Sequence, residues 1–220
     1  MDFSKFFIIV LVLFVAAGNA SSQALRSNQI EVYGGIALPM APEEFKDYYK
    51  MGYSFHGQYV IFPSSRLGIS FGVGYEPFSV DEDALVEDAS GYSKDDLEAM
   101  GIDFELDMSL SVLELCAGVR PYLTVPEANT QIFLFGTGTY NLMKAKADLS
   151  MSYYDESIGE YVTYSYEDSA DENKFGLAAG AGIEVPMGAT MNLIFQGLYR
   201  FIFTEDETTS FLGITMGVVF

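Results

Sequence analysis

The chain has 220 residues, of which half are hydrophobic and 15% are aromatic, and this composition excludes a disordered polar polymer. A single cysteine excludes a disulfide framework. Eleven Lys and Arg against 31 Asp and Glu give a net charge of −20, which repels phosphate backbones, so we expect no nucleic-acid partner.

The N-terminus has the pattern of a secretory signal peptide. Lys5 precedes an unbroken apolar run over 6–17 that is too short for a membrane-spanning helix, and residues 18–20 suit a cleavage site. No cysteine follows that site to carry a lipid anchor. We therefore predict a signal peptide over 1–20 and an exported mature chain over 21–220.

Alternation of apolar and polar residues, which is typical of β-strands, recurs along the mature chain. It is clearest in the third run, Leu67–Tyr75, where glycine and serine separate bulky residues. The predicted strands cover, in chain order, residues 30–38, 53–61, 67–76, 104–120, 131–149, 175–185, 192–203 and 212–220.

The fourth and fifth predicted strands are irregular. In the fourth, the apolar positions change from even numbers to odd numbers at Leu113, which predicts a β-bulge near Val112. In the fifth, Phe133 and Phe135 compete with the residues between them for the apolar face, so its register stays open.

The connections alternate in length, being long after strands one, three and five and short after strands two, four and six. In an antiparallel meander this places the long connections at one end, as in membrane barrels with long external loops. Two short helices are expected there. One follows Pro42 with Phe45 on its apolar face, and the other begins at a capping box on Ser93 and ends at Gly101.

The two faces of the strands differ in a way that indicates a membrane. The bulky apolar face is continuous, whereas the opposite face is mainly Gly, Ala, Ser and Gln, with too little apolar volume for a core. Open sheet edges are excluded in a bilayer because their backbone groups would lack partners. We predict an all-β fold, a closed antiparallel up-and-down eight-stranded transmembrane β-barrel with long acidic external loops.

The sequence resembles the eight-stranded outer-membrane β-barrel proteins of the OmpA, OmpX and opacity-protein type. The resemblance rests on the signal peptide, the Gly-rich third strand and the closing run over 211–220. It implies a cell outer-membrane location and recognition of the final strand by the barrel assembly machinery through Met216, Val218 and Phe220.

Seven ionisable residues fall on the predicted inner face. They are Glu31, His56, Glu76, Glu114, Arg120, Glu184 and Arg200. A charge in a narrow interior must be paired, so we expect the two arginines to bridge some of the glutamates. Such a network either plugs the barrel or lines a narrow, gated conduction path.

Catalysis is not expected. Acyl chemistry needs a nucleophile beside a base, and the single histidine, His56, has only Ser54 nearby on the same face. Cys116 has no second cysteine to pair with and is interpreted as an inert interior thiol.

Most acidic residues fall at the end with the long connections. Clustered carboxylates suit divalent cations, although no EF-hand spacing is present. We expect no cofactor beyond loosely bound Ca²⁺ or Mg²⁺. The candidate positions are Asp81, Glu82, Asp83, Asp155, Glu156, Asp168 and Asp171.

Tyrosines form two groups in the sequence. The first is predicted to form an interface girdle on the outer face and comprises Tyr33, Tyr53, Tyr59, Tyr75, Tyr140 and Tyr199. The second belongs to the third long connection, an expected extended hairpin, and comprises Tyr153, Tyr154, Tyr161, Tyr164 and Tyr166. This second group either packs against strand four or forms an adhesive surface.

Together these features predict a monomeric integral outer-membrane protein with a structural or surface-interaction role and a lumen plugged by a Glu/Arg network. Its expected partners are outer-membrane lipid and lipopolysaccharide. The alternatives are a narrow porin-like channel for small solutes or ions and a soluble β-barrel that binds a ligand.

Overall fold

The structure is a computed structural model that describes residues 26–125, 127–155, 160–188, 190–204 and 207–220. Within these residues each strand pairs antiparallel with the next and the last pairs with the first, closing a barrel. The strands are β1 (Gln29–Ala41), β2 (Gly52–Ser64), β3 (Leu67–Ser79), β4 (Ile102–Pro121), β5 (Gln131–Asp155), β6 (Glu160–Pro186), β7 (Asn192–Phe203) and β8 (Thr208–Val219). The predicted up-and-down, eight-stranded barrel is confirmed, while the predicted signal peptide lies outside the described residues.

Three short helices occupy the end of the barrel with the long connections: α1 (Glu43–Tyr48), α2 (Glu82–Ser90) and α3 (Lys94–Ala99). The predicted capping box precedes α3, because the Asp96 backbone N–H donates to Ser93 Oγ and the Ser93 backbone N–H donates to Asp96 Oδ2. Sequence analysis missed α2, whose nine residues include four acids and show little apolar periodicity. No described helix is long and apolar enough to cross a membrane.

The alternation of the strands divides the barrel wall into an apolar outside and a crowded inside. Large hydrophobic side chains point outward from neighbouring strands and stay exposed, as Phe55 and Met216 do at 60% and 59%. Their chain neighbours His56 and Thr215 point inward and are buried. The period of two thus sets which side chains fill the lumen.

The predicted bulge near Val112 is wrong. β4 keeps a single register with β3 and with β5, so the alternation runs through without an extra residue. The apolar side chains of Leu106, Leu110 and Val112 point into the barrel, where they are buried. The change of pattern along β4 therefore marks a change in what fills the lumen, from apolar up to Val112 to polar from Glu114 onward, while the same set of positions keeps facing inward.

Two apolar clusters inside the barrel correct the expectation that the inner face lacks apolar volume. The lower cluster, at the end with the short turns, comprises Tyr33, Val60, Phe62, Tyr122, Phe133, Ile194 and Val219. The upper cluster comprises Ala37, Phe45, Phe78, Leu110, Val112, Ile202 and Phe211. Tyr33 is therefore a lumen residue and not part of an outer girdle, because its position on β1 shares a face with Glu31.

β5 and β6 are much longer than the other strands and form the third long connection as an extended hairpin, as expected. The register left open for β5 is now resolved. Phe133 is fully buried in the lower cluster, and the flanking Ile132 and Leu134 are exposed on the outer face.

Candidate functional site

The seven ionisable residues predicted for the inner face all lie in the lumen, each at most 5% exposed. The structure gathers them around two arginines, Arg120 on β4 and Arg200 on β7. Both arginines belong to inner positions of strands whose outer positions are apolar, so the period of two directs their guanidinium groups into the barrel.

Arg120 forms the first centre. It makes a bidentate ion pair with Glu31 of β1, and its Nη2 donates to Glu31 Oε2 at 2.8 Å. Its Nη1 lies 3.8 Å from Glu184 Oε1, and its guanidinium lies over the Phe133 ring at 4.4 Å. The ring of the lower cluster thus supports the cation from one side.

Glu184 extends this centre toward the short-turn end. The Tyr122 hydroxyl donates to Glu184 Oε1 at 2.6 Å, and Arg26 forms an ion pair with the same carboxylate. The Arg26 guanidinium also lies 4.2 Å from the centre of the Tyr122 ring. Glu184 is therefore held by two arginines and a tyrosine.

Arg200 forms the second centre. Its Nη1 donates to Glu76 Oε2 at 2.5 Å and lies 2.9 Å from Glu114 Oε2. His56 Nε2 lies 3.2 Å from Glu76 Oε1, and its ring stacks on Tyr33 with centroids 5.0 Å apart. The Arg200 guanidinium therefore contacts both carboxylates, and the His56 imidazole contacts the carboxylate of Glu76.

Gln58 and Cys116 lie between the two centres. Arg120 Nη2 donates to Gln58 Oε1 at 3.3 Å, and Gln58 Nε2 donates to Cys116 Sγ at 3.6 Å. Cys116 is buried and unbonded to another cysteine. With Gln58 and Cys116 between them, the two centres form one polar layer inside the barrel.

Sequence analysis missed three members of this layer: Arg26, Gln58 and Tyr122. Arg26 precedes the first strand, and Tyr122 follows the end of β4, so neither belongs to a predicted alternating segment. Gln58 falls on the predicted inner face, but its position in the alternating pattern does not predict that Arg120 is its partner. Which residues form ion pairs between distant strands depends on how the barrel closes, and local sequence patterns carry no information about that closure.

The formal charges of the layer nearly cancel. Among the described residues it holds three arginines, counting Arg26, and four glutamates. With a neutral His56 the excess is one negative charge. Buried ions at this density require pairing, because an isolated charge in a low-dielectric interior costs several kcal/mol.

The side chains of the candidate nucleophile and base, Ser54 and His56, point to the inside of the barrel. Ser54 is 1% exposed and His56 is 5% exposed, and the His56 ring also lines an apolar depression of the outer wall between Phe55 and Val73. His56 is already engaged by Glu76 and Tyr33.

The candidate cation positions are spread over separate elements. No group of three or more His, Cys, Asp or Glu side chains placed to hold a metal ion is found in the part of the chain that the structure describes. Asp81 lies 3.5 Å from Lys50, Glu82 lies 3.9 Å from Lys94, and Asp171 lies 3.8 Å from Lys144. Of the other candidates, Asp83 and Asp168 are exposed, whereas Glu156 and the side chain of Asp155 lie outside what is described.

A hydrogen bond joins two of the helices above the barrel. The Tyr48 hydroxyl donates to Asp88 Oδ2 at 2.6 Å, and this bond raises the pKa of Tyr48. Beside it, burial raises the pKa of Tyr49. Below them Phe45 of α1 packs edge-on against Phe78, which packs in turn against Phe211, so α1 covers the upper cluster.

The residues of the expected assembly signal lie at the seam where the barrel closes. Phe220 exchanges two backbone hydrogen bonds with Ile30, at 2.9 and 3.1 Å. The side chains of Met216 and Phe220 are exposed on the outer face. The C-terminal residue thus takes part in joining β8 to β1.

The barrel is similar in structure to two solved outer-membrane proteins. Neisserial surface protein A gives a TM-score of 0.51 at 12% identity, with 90% of this chain and 98% of that chain covered. A major outer membrane protein from Thermus thermophilus gives 0.52 at 13% identity, covering 89% of this chain and 99% of its own. No protein-family model matches the chain, and no curated protein matches its sequence. The fold is that of outer-membrane β-barrels, as the sequence resemblance implied.

Proposed function

We propose that the protein is an integral outer-membrane barrel with a sealed lumen and a structural or surface-interaction role, neither a pore nor an enzyme. The membrane location is supported by the exposed apolar outer face and by the shared fold. The shortest strands, β7 and β8, have 12 residues each, which is enough for a tilted strand to cross a bilayer. In this setting the outer side chains contact lipid, lipopolysaccharide surrounds the upper rim, and the chain acts as a monomer.

The sealed lumen rests on one observation, the stacking of three layers inside the barrel. The Arg120 and Arg200 centres fill the middle, the lower apolar cluster closes the short-turn end, and the upper cluster closes the other. An eight-stranded barrel is only just wide enough for its own side chains. Paired ions between two apolar layers leave ions no continuous aqueous path through the barrel.

The absence of catalysis is supported by the burial of Ser54 and by the contacts that hold the His56 ring against Glu76 and Tyr33. A surface role is supported by the elements above the rim. The β5–β6 hairpin and the three helices place polar and aromatic side chains there.

Conductance of the refolded protein in planar bilayers tests the sealed lumen. We expect no discrete current steps from the wild-type protein, and steps or leak after Arg200→Ala, which removes both the charge and the volume at the second centre. The exposed arginine variant Arg66→Ala is the matched control and is expected to stay silent. Reproducible unit conductance from the wild-type barrel would contradict a sealed lumen and would show that the barrel is a narrow channel.

A further inference from the structure

The part of β6 that extends beyond the barrel has one edge without a strand partner. β6 pairs with β7 only from Gly176 onward, where Gly176 lies opposite Ile202. Residues 160–175 pair with β5 on one side, and no described strand pairs with their other side. We call this segment the free edge of β6.

The free edge is long and regular. β5 and β6 keep one register from the Gln131–Glu184 pair to the Asp155–Glu160 pair, so no bulge interrupts the hairpin. The segment 160–175 contains no proline. Natural proteins usually protect exposed edges with bulges, prolines or charged side chains, because a row of unpaired N–H and C=O groups is a template for another strand. Of these devices the segment has only charged side chains, so the strand that it accepts must match their sign.

Aromatic side chains accompany these backbone groups. Tyr161 and Tyr166 are 74% and 61% exposed, and Tyr164 is exposed while stacking on Tyr153. The side chains of a strand added at this edge would lie beside these rings, and the rings favour cations over their faces.

Charge determines which strand fits. The segment 160–175 carries five acidic residues and one lysine, Lys174, which lies 3.3 Å from Glu172. A second copy of this chain would bring the same acidic edge against its own, and like charges on neighbouring strands are unfavourable. An extended segment rich in Lys and Arg would be attracted instead, because its cations would lie beside the carboxylates of the free edge.

We propose that the free edge of β6 binds an extended, Lys/Arg-rich peptide segment of another protein, which adds to the hairpin as a further β-strand. Backbone hydrogen bonds supply affinity in this recognition mode, and the side chains on either face select the sequence. The inference rests on the proposed function, since it names the partner class for the surface-interaction role.

The probe is an eight-residue peptide of alternating Lys and Thr with a fluorescent label, titrated against the full-length barrel in detergent micelles. The control peptide is N-methylated at every residue, which keeps the charges and removes every backbone donor. We expect the unmodified peptide to bind at least tenfold more tightly than the methylated one. Equal binding of the two peptides would overturn strand addition.

The variant Glu167→Gln/Asp168→Asn tests the charge of the free edge without altering its backbone. We expect binding to weaken about fivefold, as for the loss of two exposed ion pairs. The matched control Glu43→Gln/Glu44→Gln removes two exposed charges from α1 and should leave binding unchanged. Equal loss in both variants would mean non-specific attraction to an acidic protein and would overturn the assignment to β6.

The same sample separates this inference from the proposed function. A barrel that shifts on heating in gel electrophoresis and is silent in bilayers, yet binds neither peptide, contradicts the inference alone. Hairpin-mediated dimers, detected by cross-linking, would assign the free edge to a second copy and also overturn it.

Discussion

At the scale of single residues, the lumen shows what a sequence can and cannot specify about a buried polar layer. The alternation places Glu31, Glu76 and Arg200 on the inner face, because side chains point to opposite faces at each step of a strand. It does not specify which carboxylate meets which guanidinium, since Arg120 and Glu31 come from strands far apart in sequence. These pairs depend on closure and on stagger between the strands.

Replacing Arg200 by Met should strongly destabilise the barrel. Glu76 and Glu114 would lose their shared guanidinium and keep only His56, so uncompensated negative charge would be buried. Removing one partner of a buried ion pair costs about 3–5 kcal/mol. The measurement is the free energy of unfolding by urea in lipid vesicles.

Arg66→Met is the control for this variant, since Arg66 is exposed at the β2–β3 turn and should change stability by less than about 0.5 kcal/mol. Adding Glu76→Gln and Glu114→Gln to Arg200→Met should recover much of the loss, because the buried charges then disappear together. Equal stability of the Arg200 and Arg66 variants would show that the second centre contributes nothing.

At the scale of elements, a helix or strand is predicted correctly from the sequence where its local pattern is specific, and incorrectly where that pattern is weak or ambiguous. The capping box at Ser93 locates α3, because the donors of a first turn require a specific local pattern. α2 lacks such a signal, since Asp81 at its N-cap makes no side-chain cap. The prediction for β4 fails because its apolar residues change face without an extra residue: Leu110 and Val112 fill the upper cluster, whereas Leu113 and Leu115 cover the outer wall.

Replacing Ser93 by Ala should destabilise α3 alone. The hydroxyl accepts from the Asp96 backbone N–H, and loss of such a cap costs about 1 kcal/mol. Hydrogen exchange of amides in 94–101 should become roughly fivefold faster, the rate change that corresponds to this energy. Global urea unfolding of the barrel should stay unchanged, and an equal loss in both measurements would mean that α3 and the barrel unfold as one unit.

At the scale of the whole molecule, apolar and ionic side chains have opposite distributions. Apolar groups cover the outer wall, and the ions lie in the middle of the lumen between two apolar layers. The sequence predicts strand number, order and the direction of most faces, since these follow from alternation and connection length. It does not predict the layering of the lumen, because residues of one layer come from strands spread over the whole chain.

The central claim is that the outer wall faces acyl chains, and the natural absence of tryptophan makes it directly measurable. A single tryptophan at Phe195 on the outer face of β7, or at Tyr161 on the hairpin, reports its surroundings by fluorescence in vesicles of lipids with brominated acyl chains. We predict strong quenching of Phe195→Trp and little quenching of Tyr161→Trp. Equal, weak quenching at both positions, from folded protein, would contradict a membrane-spanning barrel.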